Sequence, residues 1–287
     1  MTAQGAIEYF TESHSVEAVN GRVGKGTDPR FAHVMARLAT HLHAFIKDVE
    51  LTQPEWAAAI DFLTRTGQTC DGNRQEFILL SDVLGVSMLV DAINNRRPAG
   101  ATENTVLGPF HVGGVPEYPM GANISLAGGR ETCLFEGRVT DLDGNPLAGA
   151  RIDVWSDNED GFYDVQQPDL QPRHNNRGVF VTGADGRYWF RGIKPVSYPI
   201  PDDGPVGQML GHLGRHPFRP AHMHFIVSAE GFETVITHTF VKGDDYLQSD
   251  AVFGVKDSLI APFEPRIGGD TKWVSSFDFV LTRQAAA

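Results

Sequence analysis

Residues 134–155 read Leu134-Phe135-Glu136-Gly137-Arg138-Val139-Thr140-Asp141-Leu142-Asp143-Gly144-Asn145-Pro146-Leu147-Ala148-Gly149-Ala150-Arg151-Ile152-Asp153-Val154-Trp155. Two segments rich in β-branched and aromatic residues, Leu134 to Asp141 and Ala150 to Trp155, flank Asp143-Gly144-Asn145-Pro146, whose residues favour turns. A third segment of the same kind, Tyr188 to Ile193, follows the turn signal Asp185-Gly186. Short strands closed by turns indicate an all-β sandwich or barrel, and no internal repeat or low-complexity tract interrupts them. This patterning begins near residue 100, where Arg96, Arg97, Pro98 and Gly100 break a helical region.

Upstream of that boundary the period changes from two to 3.6. From Phe31 to Val49, the residues Phe31, Val34, Met35, Leu38, Leu42, Phe45, Ile46 and Val49 recur at three- and four-residue steps and form one apolar stripe. Thr52 and Glu55 make a capping box, with Pro54 in the first turn, for a second helix through Trp56, Ile60 and Leu63 toward Gly67. A third helix is expected from about Arg74 to Asn94, carrying Phe77, Leu80, Leu84, Met88 and Ile93. Stripes of this kind pack against another element of the chain or against a second subunit. The expected organisation is a helical region over residues 1–100 and a mainly β domain over 101–287.

At 287 residues the chain exceeds the usual single-domain size and can bury a sizeable core. Its hydrophobic content of 41% and charged content of 21% are ordinary for a globular protein, and no apolar run is long enough to span a bilayer. Met1 to Asn20 carries Glu8, Glu12 and Glu17 and lacks a basic and apolar leader, so a cytoplasmic location is expected. Cys70 and Cys133 are too few for a disulfide framework, which agrees with reduced thiols. A net charge of −12 without a basic run opposes a nucleic-acid partner.

The sharpest local feature is Arg219-Pro220-Ala221-His222-Met223-His224-Phe225, leading into Ile226-Val227. Alternate side chains of a strand share a face, so His222 and His224 point the same way and can ligate one metal. Two unrelated histidines on a half-exposed strand explain the pair equally well unless further ligands exist. The cysteines are distant and there is no HExxH motif. Two tyrosines sit in glycine- and proline-flanked settings, Tyr163 in Asp160-Gly161-Phe162-Tyr163-Asp164 and Tyr198 in Pro195-Val196-Ser197-Tyr198-Pro199-Ile200-Pro201. Taken singly each is explained by packing, as is Tyr188 in mid-strand.

Two tyrosines and two histidines together have a specific logic. A phenol with pKa near 10 gives up its proton only to a strong Lewis acid, and Fe(III) is one. Two phenolates and a hydroxide neutralise its triple charge, and a catecholate dianion can replace one phenolate and the hydroxide without changing that balance. The displaced groups can then take the two substrate protons. Zinc is better served by cysteine or carboxylate partners, and ferrous oxygenases by two histidines and a carboxylate. Arg219 would share the face of His222 only if the chain stays extended through Pro220, and its guanidinium would then stabilise negative charge on a substrate ring.

Several stretches together resemble the intradiol dioxygenase family over nearly the whole chain: Glu76 to Asp82 with Leu84 to Leu89, Val106 to Phe110, Gly161 to Asp164, Tyr198 to Gly207, and Arg219 to His224. The resemblance implies a β-sandwich catalytic domain behind a helical N-terminal dimerisation domain, a homodimer, and in some members a bound phospholipid. It implies Fe(III) held by Tyr163 and His222 in the equatorial plane and by Tyr198 and His224 axially, with Tyr198 leaving on substrate binding. Arg219 matches the arginine beside the substrate ring. Pocket walls are implied at Leu79, Asp82, Val106, Leu107 and Gly108, and also at Pro109, Phe110, Ile200, Pro201 and Val252. His238 replaces a glutamine of the catechol-cleaving branch, and Asp82 an apolar residue or proline. The expected substrates are therefore O2 and an aromatic diol or triol, with benzene-1,2,4-triol (hydroxyquinol) favoured over catechol or a chlorocatechol. A metal-free carrier similar to transthyretin-like domains and a zinc hydrolase are the other readings.

Overall fold

The computed structural model describes residues 9–72 and 74–284. Contacts divide the chain into two units, Met1–Arg65 and Thr66–Ala287. The smaller unit holds α1 (Ser15–Asn20), α2 (Pro29–Asp48) and most of α3 (Gln53–Thr69). The Asp28 carboxylate caps α2 by accepting from the Phe31 N–H at 2.7 Å, with Pro29 in the first turn where its missing N–H costs nothing. The capping box of α3 forms as its sequence requires, the Thr52 N–H donating to Glu55 Oε2 at 2.9 Å and Thr52 Oγ1 accepting from the Glu55 N–H at 3.4 Å. The stripe on α2 stays uncovered by the described residues: the helix buries none of its residues, and Phe31, Leu38 and Phe45 are 59%, 54% and 54% exposed. No helix of the described residues is long and apolar enough to cross a membrane.

The larger unit begins with α4 (Glu76–Val83) and α5 (Val86–Asn94). These replace the single helix expected from about Arg74 to Asn94. Gly85 breaks it, adopting φ +72°, a left-handed conformation that glycine alone enters without steric penalty. The strands follow as β1 (Thr132–Asp141), β2 (Arg151–Trp155), β3 (Arg177–Val181), β4 (Arg187–Ile193) and β5 (Tyr198–Pro199). After α6 (Pro205–His212) come β6 (Phe218–Arg219), β7 (His222–Ser228), β8 (Val235–Val241) and β9 (Ile260–Ala261). The C-terminal stretch adds β10 (Glu264–Pro265), β11 (Trp273–Ser276) and β12 (Phe279–Leu281).

Two five-stranded sheets face each other among the described residues. One runs β10-β11-β1-β12 with β4 also paired to β1, the other runs β3-β2-β7-β8-β9, and β5-β6 form a separate ribbon. The inner faces meet in one buried cluster, to which β1 and β4 give Phe135, Val139 and Phe190 while β2 and β7 give Ile152, Val154, Met223, Phe225 and Val227. The β-sandwich with N-terminal helices expected from the sequence is the architecture found. The period of two on β7 also positions the histidines: with Met223, Phe225 and Val227 in the core, His222 and His224 lie on the outer face of the sheet. Both are nevertheless buried, at 1% and 2% exposure, because loops cover that face.

Candidate metal centre

The outer face is assembled by register. Trp155 on β2 and His238 on β8 stand directly opposite His224 on β7. The Trp155 indole stacks on the His224 imidazole, with ring centroids 4.6 Å apart and planes 13° from parallel. Tyr163 arrives from the loop after β2 and Tyr198 from the β5-β6 ribbon, where it pairs with Arg219. The ribbon explains how Arg219 reaches the site. It does not continue the strand of His222, as an extended chain through Pro220 would require, but lies on β6 in a different sheet. Its guanidinium still comes within 3.2 Å of His222 Nε2.

Four donor atoms close a ring. The Tyr163 hydroxyl lies 2.9 Å from His224 Nε2, which lies 3.2 Å from His222 Nε2. His222 Nε2 is 3.4 Å from the Tyr198 hydroxyl, which is 3.2 Å from that of Tyr163. Atoms so spaced suit neighbouring positions around one cation, since bonds of about 2.0–2.1 Å place adjacent ligands roughly 3.0–3.4 Å apart. The tautomer of His222 fits as well. Its Nδ1–H donates to the Pro220 carbonyl at 2.7 Å, which leaves a lone pair on Nε2 aimed into the ring.

Protonation follows from burial. Burial pushes His222 and His224 well below the ordinary imidazole range, helped at His222 by the Arg219 charge and at His224 by the neighbouring His238, so both are neutral. Burial also raises both phenols, Tyr163 far above its usual value through burial and its contact with Tyr198. At Tyr198 the Arg219 charge works against burial. A phenolate here therefore needs a cation beside it, and the donor set suits a hard, highly charged metal.

The surrounding groups form a cradle. Phe110 stacks on Tyr163 at 4.5 Å. Gly108, at φ +78°, brings its backbone so close to His224 that a Cβ would sit 3.0 Å from Cε1 of the ring. Arg219 is fixed by Asp250, whose Oδ1 accepts from Arg219 Nε at 3.2 Å, and Asp250 also accepts from the Val252 and Gly254 N–H groups at 3.2 and 2.9 Å. Those bonds hold Val252 beside the arginine. Asp82 on α4 is half-buried within electrostatic range of Arg219 and Asp250; burial raises its carboxyl, and Ser87 and Arg219 pull it back down. Leu79 lies one turn before Asp82 and is also half-buried, as is Val106, while Ile200 is buried. Leu107, Pro109 and Pro201 are exposed at the rim.

Neither Asp250 nor Trp155 carries a sequence signal that marks it as a site residue. His238 stands out in the sequence only for its difference from glutamine. In the structure His222, His224 and His238 form a buried trio whose potential ligand atoms all lie within 4.8 Å of one another, and the Thr105 hydroxyl bonds to His238 Nδ1.

Comparison with known proteins gives the family. Residues 122–283 match the model of a dioxygenase family, and residues 28–102 match that of the catechol dioxygenase N terminus. The chain belongs to the intradiol dioxygenase family. Among its relatives in that family, a hydroxyquinol 1,2-dioxygenase of Rhizobium sp. (strain MTP-10005) is 57% identical over 99% of both chains. A 6-chlorohydroxyquinol 1,2-dioxygenase of Cupriavidus pinatubonensis is 49% identical, covering 96% of this chain and 99% of the relative. The crystal structure of the hydroxyquinol 1,2-dioxygenase of Pseudomonas putida DLL-E4 superposes with a TM-score of 0.91 at 45% identity, covering 95% of this chain and 99% of that one. This intradiol dioxygenase is thus an enzyme of oxygen-dependent ring cleavage.

Proposed function

We propose that the chain is a ferric intradiol dioxygenase that opens hydroxyquinol with O2 between its two adjacent hydroxylated carbons, giving 3-hydroxy-cis,cis-muconate or its tautomer maleylacetate. The closed ring of two phenol oxygens and two neutral imidazole nitrogens carries the metal assignment. Tyr163, Tyr198, His222 and His224 hold Fe(III), which when bound supplies the Lewis acidity that draws both protons from the diol and primes it for O2. Tyr198, held as a phenolate by the metal with the Arg219 charge offsetting its burial, would take one of those protons. Arg219, held by Asp250, stabilises the negative charge that develops on the ring. Leu79, Ile200, Val252, Phe110 and the backbone of Gly108 bound the ring, with Val106, Leu107, Pro109 and Pro201 toward the rim.

The substrate follows from Asp82 together with the hydroxyquinol enzymes among the relatives. Catechol or a chlorocatechol is the alternative within the same chemistry. The purified protein is expected to be red-brown from phenolate-to-iron charge transfer and to consume oxygen faster on hydroxyquinol than on catechol. A colourless protein holding stoichiometric zinc, with no gain of activity on iron reconstitution, would sink the assignment. A metal-free carrier would also be colourless, without retained metal.

Residues 101–287 are the catalytic part in this reading, with α4 contributing Leu79 and Asp82. We infer that the uncovered stripe of α2 pairs with a second copy of the chain and offers an apolar seat for phospholipid tails. Sedimentation should give a dimer, and charged replacements at Leu38 and Phe45 should shift it to monomer. A wild-type monomer at micromolar concentration would refute the pairing. Two free cysteines suit a cytoplasmic enzyme.

A further inference from the structure

If Asp82 meets the third hydroxyl of the triol, as the proposed function holds, then whatever fixes α4 against the arginine side of the pocket also fixes selectivity. Arg215, just beyond the end of α6, bridges the two. Its Nη1 donates to the Val83 carbonyl at 2.6 Å and its Nη2 to the Ala251 carbonyl at 2.9 Å. Val83 is the last residue of α4 and the neighbour of Asp82. The carbonyls of Leu80 and Asp82 are already taken by the Leu84 and Gly85 N–H groups, so Arg215 satisfies one that the helix leaves over. A cation at this position also complements the negative end of the helix dipole.

The second carbonyl belongs to the opposite wall. Ala251 lies between Asp250, which holds Arg219, and Val252, which faces the ring in the proposed reading. One planar guanidinium therefore spans both sides. Phe253 reinforces the bridge: the guanidinium carbon lies 4.9 Å from its ring centroid, and Gly85 lies in van der Waals range of the same ring, where a Cβ would be 3.5 Å from Cδ2. Phe253 itself sits at φ +59°, a conformation that a non-glycine residue keeps only where its surroundings impose it.

We infer that Arg215 is a positioning residue for substrate selectivity, setting the separation between Asp82 and the Asp250–Val252 loop and hence the seat of the third hydroxyl. It is not among the proposed metal ligands or pocket walls. A purely structural brace would affect all substrates alike, whereas this role falls harder on the triol because it sets the place of Asp82. The test is a double-mutant cycle on the iron-loaded enzyme with Arg215→Met, Asp82→Ala and the pair, reading kcat/KM on hydroxyquinol and on catechol, with iron content and thermal midpoint alongside.

Arg215→Met is expected to narrow the hydroxyquinol-to-catechol ratio by about threefold to tenfold, the effect of loosening one hydrogen bond. In the Asp82→Ala background the same change should move the ratio by less than about twofold, because coupled residues are not additive. Arg215→Lys keeps the charge but cannot fork to two carbonyls, so it should fall between wild type and Arg215→Met, and it carries the same comparison if Arg215→Met does not accumulate. Equal loss on both substrates, or a ratio shift that persists without Asp82, overturns the inference and leaves the proposed function standing. A wild type that does not prefer the triol overturns the proposed substrate and this inference with it.

Discussion

His222→Ala and His224→Ala are each expected to yield a protein that retains little iron, has lost the visible band and turns over no diol. Each change removes a neutral imidazole that the fold holds in one orientation, His222 through its Nδ1–H bond to Pro220 and His224 through the Trp155 stack. Disturbing partners behind a ligand already costs about tenfold to a hundredfold in metal affinity, so losing the ligand itself costs at least that much. Tyr198→Phe should behave differently. Tyr163 is fully buried beneath Phe110, whereas Tyr198 is 6% exposed on a two-residue strand, beside a guanidinium that favours its phenolate more than that of Tyr163. On the proposed reading Tyr198 is the phenolate that leaves and accepts a proton. Tyr198→Phe is therefore expected to keep part of its iron, with a shifted band, while kcat falls by roughly a hundredfold to ten-thousandfold, the usual contribution of a positioned base. Metal analysis and visible spectra of the three variants decide the point. Equal and complete iron loss in all three would rule out a displaceable Tyr198.

The two histidines were legible because one rule governs them and the core together. The alternation that sends Met223, Phe225 and Val227 inward leaves His222 and His224 side by side on the other face. The capping box at Thr52 and the stripe on α2 were legible for a similar reason, being local patterns with a fixed period. Gly85 was harder to interpret. A lone glycine within an apolar helical pattern is compatible with a continuous helix, and only its left-handed backbone at φ +72° shows that the chain turns there. Tertiary partners left no local trace. Asp250 lies 31 residues beyond Arg219 in a loop with no motif, and the two meet only because β5-β6 and the loop after β8 fold onto the same side of the sheet. Arg219 meets His222 through the ribbon with Tyr198 and not along an extended chain through Pro220, a route that no local pattern shows.

Asp82 should control the choice between triol and diol. Its carboxyl is half-buried on α4 near Arg219 and Asp250, and burial raises it from its ordinary value while Ser87 and the arginine oppose the rise. Opposite a bare ring edge such a group has only Ser87 and the arginine charge to offset its burial, which disfavours catechol. Opposite the third hydroxyl of hydroxyquinol it gains a charge-assisted hydrogen bond. A bond to a charged group is worth roughly 1.5 to 3 kcal/mol, about tenfold to a hundredfold in relative specificity. Asp82→Ala is therefore expected to narrow the ratio of kcat/KM for hydroxyquinol over catechol by that factor, mainly through loss on the triol, with iron content and colour unchanged because Asp82 is not among the proposed ligands. Asp82→Asn separates charge from hydrogen bonding: it keeps an acceptor for the hydroxyl but loses the charge, so it should retain part of the preference. The comparison is made by oxygen uptake on both substrates. If the wild type cleaves catechol as well as hydroxyquinol, or if Asp82→Ala leaves the ratio where it was, the carboxylate does not read the third hydroxyl and selectivity must arise from the apolar walls alone.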